Sequence, residues 1–214
     1  MKGLLAKDYA LMKQRGKILI FLVLWGIIMY AVMDDGFFVV GWVVMIAVIT
    51  SLSTMSYDEY DNSMPFLMSL PVTRKDYAVE KYLFSALCGI AFWIISLIIV
   101  IVGNTVTGKA VLQTEDLSGM LLFLAVMFLI LAVCIPPQLK WGAEKGRIVM
   151  LIIFGVVFVA AFLLGRFGGV LKRTAEWLDR LSMPGVVLGA LAASLVLTAI
   201  SVMFSILIMQ KKEF

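Results

Sequence analysis

Residues 17–56 read KILIFLVLWGIIMYAVMDDGFFVVGWVVMIAVITSLSTMS, two uncharged apolar runs, 18–33 and 36–56, hinged on Asp34 and Asp35. A helix needs about 20 residues to cross the hydrocarbon core of a bilayer, with about 17 as the practical lower end. The second run is long enough outright. The first has 16 uncharged residues, and it reaches because Lys17 can snorkel while Asp34 sits at the interface. The tight Asp34-Asp35-Gly36 turn makes the two an antiparallel hairpin. A basic flank of 17 residues, with no small-x-small site before Asp34, marks the first run as a retained span rather than a cleaved signal.

The same pattern recurs at 83–103, 117–135, 148–165 and 185–209. Over the 214 residues, 63% are hydrophobic and 15% charged, against about 25% charged in soluble domains. Lipid is the solvent that such a surface calls for, as the mean hydropathy of +1.05 agrees. The expected fold is an all-α membrane protein, one domain over 1–214 with six transmembrane helices. If the N-terminus is cytoplasmic, the inner segments carry 13 of the 18 Lys and Arg residues and the outer loops 5. The positive-inside rule then places both ends in the cytoplasm.

Three segments are not spans. Residues 1–16 form an amphipathic helix on the inner surface, with Leu4, Leu5, Leu11 and Met12 in the membrane and Lys2, Lys7, Lys13 and Arg15 toward anionic headgroups. Residues 57–82 form the longest inner loop. There an acidic cluster, Asp58, Glu59 and Asp61, ends the second span, and Asn62 or Ser63 caps a short helix with Pro65 in its first turn. Pro71 stops that helix near Leu70, and Thr73 with Asp76 forms a capping box opening the next one. The short helix is apolar through Met64, Phe66, Leu67, Met68 and Leu70, a knob that a soluble partner could grip. Residues 166–184 give an outer amphipathic or partly re-entrant stretch with Trp177 at the interface.

The chain has no histidine, so the commonest general base, proton shuttle and metal ligand is missing. Cys88 and Cys134 lie inside apolar runs as small buried hydrophobes. No Asp, Glu, Lys or Arg falls inside the six runs, which argues against a proton-coupled antiporter or a channel with a charged filter. Histidine-dependent proteolysis and phosphatase chemistry fail for want of the base, and Asp34-Asp35 alone does not supply a phosphatidyltransferase site. Without a Walker-type loop the chain does not hydrolyse ATP itself, so its energy comes from elsewhere. The intramembrane polar groups are hydroxyls: Thr50, Ser51, Ser53, Thr54 and Ser56 in the second span, and Ser194, Thr198, Ser201 and Ser205 in the sixth. Helix packing is their plainer role, and Gly185-x-x-x-Gly189-x-x-x-Ala193 reads as a packing seam. The sharper reading has Thr50, Ser53, Thr54, Thr198, Ser201 and Ser205 lining a translocation path. No internal repeat is visible between the halves.

This arrangement resembles the small permease subunits of type-2 ATP-binding-cassette (ABC) exporters over essentially the whole chain. The most specific match is Phe66-Leu67-Met68-Ser69-Leu70-Pro71-Val72-Thr73-Arg74-Lys75-Asp76-Tyr77, followed by Glu80-Lys81-Tyr82. The resemblance implies that Asn62, Ser63, Met64, Pro65, Phe66, Leu67, Ser69 and Leu70 form a coupling helix that docks on an ATPase subunit. It implies a multi-pass protein of the bacterial plasma membrane that pairs with ABC ATPase subunits, with a second permease subunit and with lipid, and not with nucleic acid. This chain would bind no cofactor, ATP and Mg belonging to the partner. The cargo expected of an apolar, hydroxyl-dotted path is an amphipathic peptide, such as an antimicrobial or cytolytic one, a lipid or a hydrophobic drug. The small outer segments leave no room for a substrate-capturing domain.

Two readings compete. A vitamin-binding membrane subunit of an energy-coupling importer has a similar size and span number, but the basic, proline-bracketed loop argues against it. A non-transporting immunity or assembly factor would act without any ATPase.

Overall fold

A computed structural model describes residues 2–33, 35–59, 63–69, 72–109, 114–166 and 183–212. Every regular element among them is a helix: α1 (Lys2–Gln14), α2 (Gly16–Met33), α3 (Gly36–Leu52), α4 (Thr54–Glu59), α5 (Ser63–Ser69), α6 (Arg74–Val106), α7 (Thr114–Trp141), α8 (Ala143–Arg166) and α9 (Met183–Lys211). Among the described residues, five stretches are both long and apolar enough to cross a membrane: Gly16–Met33, Gly36–Glu59, Arg74–Val106, Asp116–Trp141 and Met183–Lys211. The chain is therefore a multi-pass membrane protein. The fifth expected run, 148–165, is not among these five and falls inside α8, a helix of 24 residues several of whose side chains lie outside the description. Of the expected outer segment, 167–182 lies outside the described residues.

Local chemistry explains the breaks. Asp35 caps α3, its carboxylate accepting from the Phe37 N–H at 2.9 Å and the Phe38 N–H at 3.3 Å. Thr73 caps α6 as expected, its Oγ1 accepting from the Asp76 N–H at 3.1 Å while its hydroxyl donates to Asp76 Oδ2 at 2.7 Å. At 33 residues, α6 is about 50 Å long, more than the ~30 Å hydrocarbon layer, so its first turns stand beyond the apolar span expected at 83–103.

Helix α3 forms the centre. Val39, Val40, Val43, Val44, Ala47 and Val48 recur at three- and four-residue spacing, all are buried, and they face α6 and α7. Helix α9 lies chiefly along α7. That seam repairs a break in α7, which continues through Pro136 and Pro137 to Trp141 rather than ending at 135. Pro136 has no N–H to give the Ala132 carbonyl, and the Ser201 hydroxyl donates to that oxygen instead, at 2.6 Å. Tyr82 ties α6 to the same place, its hydroxyl 2.6 Å from Ser201 Oγ and 2.8 Å from Ser205 Oγ. Ser201→Ala is expected to cost about 1 kcal/mol, measured as a lowered unfolding midpoint in detergent.

Gly142 makes the corner between α7 and α8. Its φ of +87° favours glycine, and a Cβ there would lie 2.9 Å from Glu59 Oε2. The same carboxylate accepts from the Ala143 N–H at 2.5 Å, satisfying a donor at the start of α8. Gly142→Ala should destabilise by about 1–2 kcal/mol, read from the same melting experiment.

Candidate functional site

Charged and polar side chains gather at one end of the bundle, where α1, α4, the start of α6 and the end of α9 meet. Helix α1 carries basic residues and one acid, Asp8, and that acid is turned fully inward. Lys81, on the first turns of α6 and 1% exposed, meets it: its Nζ lies 2.5 Å from Asp8 Oδ2 and 2.7 Å from Asp58 Oδ2. Lys7 pairs with Asp58 and lies 3.2 Å from Asp8 Oδ1. Tyr77 donates to Asp58 Oδ2 at 3.0 Å, and Thr54 Oγ1 sits 3.1 Å from Asp8 Oδ2. One interlocked cluster thus joins α1, α4 and α6.

A group of charges this deep is stable only where the partners match closely. The match here is close for Asp8 and Asp58 and incomplete for Glu80. Three buried carboxylates, Asp8, Asp58 and Glu80, face two ammonium groups, those of Lys7 and Lys81. Glu80 is the odd member: both of its oxygens are buried without a hydrogen bond, and Lys81 Nζ is 3.8 Å away. Removing either lysine would leave uncompensated negative charge inside the protein.

Further contacts draw both chain ends to this place. Arg15 donates to Ser53 Oγ at 3.0 Å and also binds the Tyr57 hydroxyl, with its guanidinium 4.8 Å from the ring centre. Arg74 donates to the Gln210 carbonyl at 3.0 Å. Lys212 donates to the Leu139 carbonyl at 2.9 Å and lies 3.8 Å from Glu59 Oε1. The expectation that Lys7 and Arg15 reach out to lipid headgroups is thereby corrected: both are engaged by partners within the protein, Lys7 by the buried Asp58 and Arg15 by Ser53 and the exposed Tyr57.

Helix α5 hangs between α4 and α6, the two helices that the cluster clamps. It is two-faced. Met64 and Leu67 are buried against the bundle, while Pro65, Ser69 and above all Phe66, 70% exposed, face outward. Ser69 Oγ closes the last turn by donating to the Phe66 carbonyl at 2.7 Å. Ser63 opens the helix, with its side chain outside the description, and Asn62 and Leu70 lie outside the described residues altogether.

The hydroxyls singled out in the sequence all have partners. Thr50 donates to the Ile46 carbonyl, Ser53 to the Thr50 carbonyl, and Thr54 stands by Asp8 and the Ser51 carbonyl. Thr198 lies 3.0 Å from the Phe128 carbonyl and 2.7 Å from that of Ser194, while Ser201 and Ser205 meet Tyr82. Thr50, Ser53 and Thr198 are half-buried; Thr54, Ser201 and Ser205 are buried. A groove of about 350 Å³ between α3, α7 and α8 is apolar apart from Ser53 and Gln138. No group of metal-binding residues occurs among the described ones.

The charge cluster escaped the sequence reading although its members were in view. Lys7-Asp8 and Glu80-Lys81 are adjacent opposite charges just outside apolar runs, a pattern shared by solvated helix faces. The one distinguishing signal was a lone acid in an otherwise basic helix.

No curated protein and no solved structure is similar enough to the chain to count as a match. A family model described as ABC-2 family transporter protein matches residues 3–210, taking in α1, the cluster, α5 and nearly all of α9. That match covers nearly the whole chain, and the chain belongs to the ABC-2 family of transporter membrane proteins.

Proposed function

We propose that this protein is the permease subunit of an ATP-driven exporter, and that α5 is its coupling helix. The observation that carries the reading is the exposure of Phe66 on a helix whose other face is fixed inside the protein. An aromatic side chain held out from a rigid base is suited to fill a pocket on a soluble partner. The partner is an ATPase subunit of the cassette type, holding ATP and Mg. Its movement would pass from α5 to α4 and α6, and the Lys7-Asp8-Asp58-Lys81 cluster would carry it to α1 as one body.

The reading includes six crossings, α8 being the fifth along the chain. Helix α2 starts at the charged end, as the Arg15 contacts to Ser53 and Tyr57 place it, and α9 finishes there, with Gln210 against Arg74. A chain that starts and ends at one face of a membrane crosses it an even number of times. That face is the cytoplasmic one by the distribution of Lys and Arg.

A second permease subunit would complete the pathway, with the half-buried Thr50, Ser53 and Thr198 as the hydroxyls that a passing cargo meets. Apolar grooves favour an amphipathic peptide, a lipid or a hydrophobic drug over ions or sugars. Affinity purification of the full chain from its own membrane, in mild detergent, should recover an ATPase of the cassette class. Recovery of the chain without any ATPase, under conditions that keep other such complexes together, would overturn the reading.

A further inference from the structure

A groove of about 600 Å³ runs between α1, α2 and α6, open on one side and within the size range of ligand sites. Its walls are Leu5 and Met12 of α1, Leu19 of α2, and Phe84, Leu87 and Phe92 of α6. Lys13 supplies the one charged group among its lining residues. We propose that this groove holds an acyl chain of an anionic phospholipid, with the headgroup phosphate on Lys13.

The location argues for lipid. The groove lies where α1, the interfacial helix, hands over to the span α2, so its open side adjoins both the headgroup layer and the hydrocarbon. Amphipathic helices of this kind sit at that boundary. A water-soluble partner would find almost no polar group to bind, since only Tyr9 and Lys13 break the apolar lining.

The charge argues for an anionic headgroup. Asp8, the one acid of α1, is buried 2.5 Å from Lys81, so its charge is matched inside the protein and does not offset Lys13. Lys7 and Arg15 are likewise engaged by other side chains, Lys7 by Asp58 and Arg15 by Ser53 and Tyr57. Lys13 stays exposed and forms no ion pair among the described residues. An ammonium at the rim of an apolar groove selects phosphate-bearing lipids with net negative charge over zwitterionic ones.

The inference rests on the membrane placement of α2 and α6 and not on the ATPase, so its failure would leave the exporter reading standing. The test uses the full chain, purified in a neutral detergent and melted with dioleoyl phosphatidylglycerol or dioleoyl phosphatidylcholine. At a hundredfold excess over Kd, phosphatidylglycerol should raise the midpoint by roughly 5–10 °C, and phosphatidylcholine by much less. Lys13→Gln should remove the difference between the lipids. Ala91→Trp, which fills the groove, should abolish the rise itself, and Lys2→Gln should leave it unchanged. Equal shifts with both lipids, a full response in Lys13→Gln, or an equal loss in Lys2→Gln would overturn the proposal. So would an equal shift with glycerophosphate alone, since that would show headgroup binding without the groove.

Discussion

Lys81→Met is expected to destabilise the protein by about 3–5 kcal/mol, among the largest effects of any single substitution in it. The lysine is 1% exposed and, among the described residues, is the only ammonium that touches both Asp8 and Asp58 within 3 Å. Methionine has a similar reach and would fill the space, so the loss isolates charge from volume. What remains is two carboxylates and Glu80, all buried, facing Lys7 alone. Adding Asp8→Asn to the Lys81→Met chain should recover part of the loss, because the excess negative charge falls by one. Thermal or denaturant unfolding in detergent measures both steps. A single mutant within about 1 kcal/mol of the parent would show that the cluster contributes little.

Phe66→Asp should do the opposite: leave stability nearly unchanged and remove function. The side chain is 70% exposed, so its replacement costs the fold about 0.5 kcal/mol or less. A buried aromatic anchor at an interface commonly contributes about 2 kcal/mol or more, roughly a thirtyfold loss in affinity for the ATPase. Transport should fall with it, while membrane insertion and the melting midpoint stay at the parent's values. Leu67→Asp makes the contrast. Leu67 is buried against the bundle, so that change should unfold the local structure rather than weaken docking selectively.

These two residues also show how far the sequence could be read. Five apolar helices were legible because apolar length is a strong signal: the expected 18–33 and 185–209, for instance, fall within Gly16–Met33 and Met183–Lys211. The α5 helix was legible through its punctuation, Pro65 near its start, and the Thr73 cap of α6 was fixed by local hydrogen bonding. The direction in which α5 faces was not, since Met64, Phe66 and Leu67 are equally apolar and only the packing of α4 beneath them separates buried from exposed. The continuation of α7 through Pro136 and Pro137 was hidden for a similar reason. The prolines break the helix locally, and Ser201, 65 residues after Pro136 in the chain, supplies the missing donor. Lys81 depended on pairing across 73 residues with Asp8, a separation that no local pattern encodes.

The proposed contact between Phe66 and an ATPase is open to photocrosslinking. Benzoyl-phenylalanine placed at position 66, and separately at position 67, in the full chain within its native membrane can be photolysed and the products separated by mass. Position 66 should give a product joining the chain to an ATPase subunit, and the buried position 67 little or none. An ATPase product from position 67 but not 66, or from neither position while transport persists, would contradict the proposed contact.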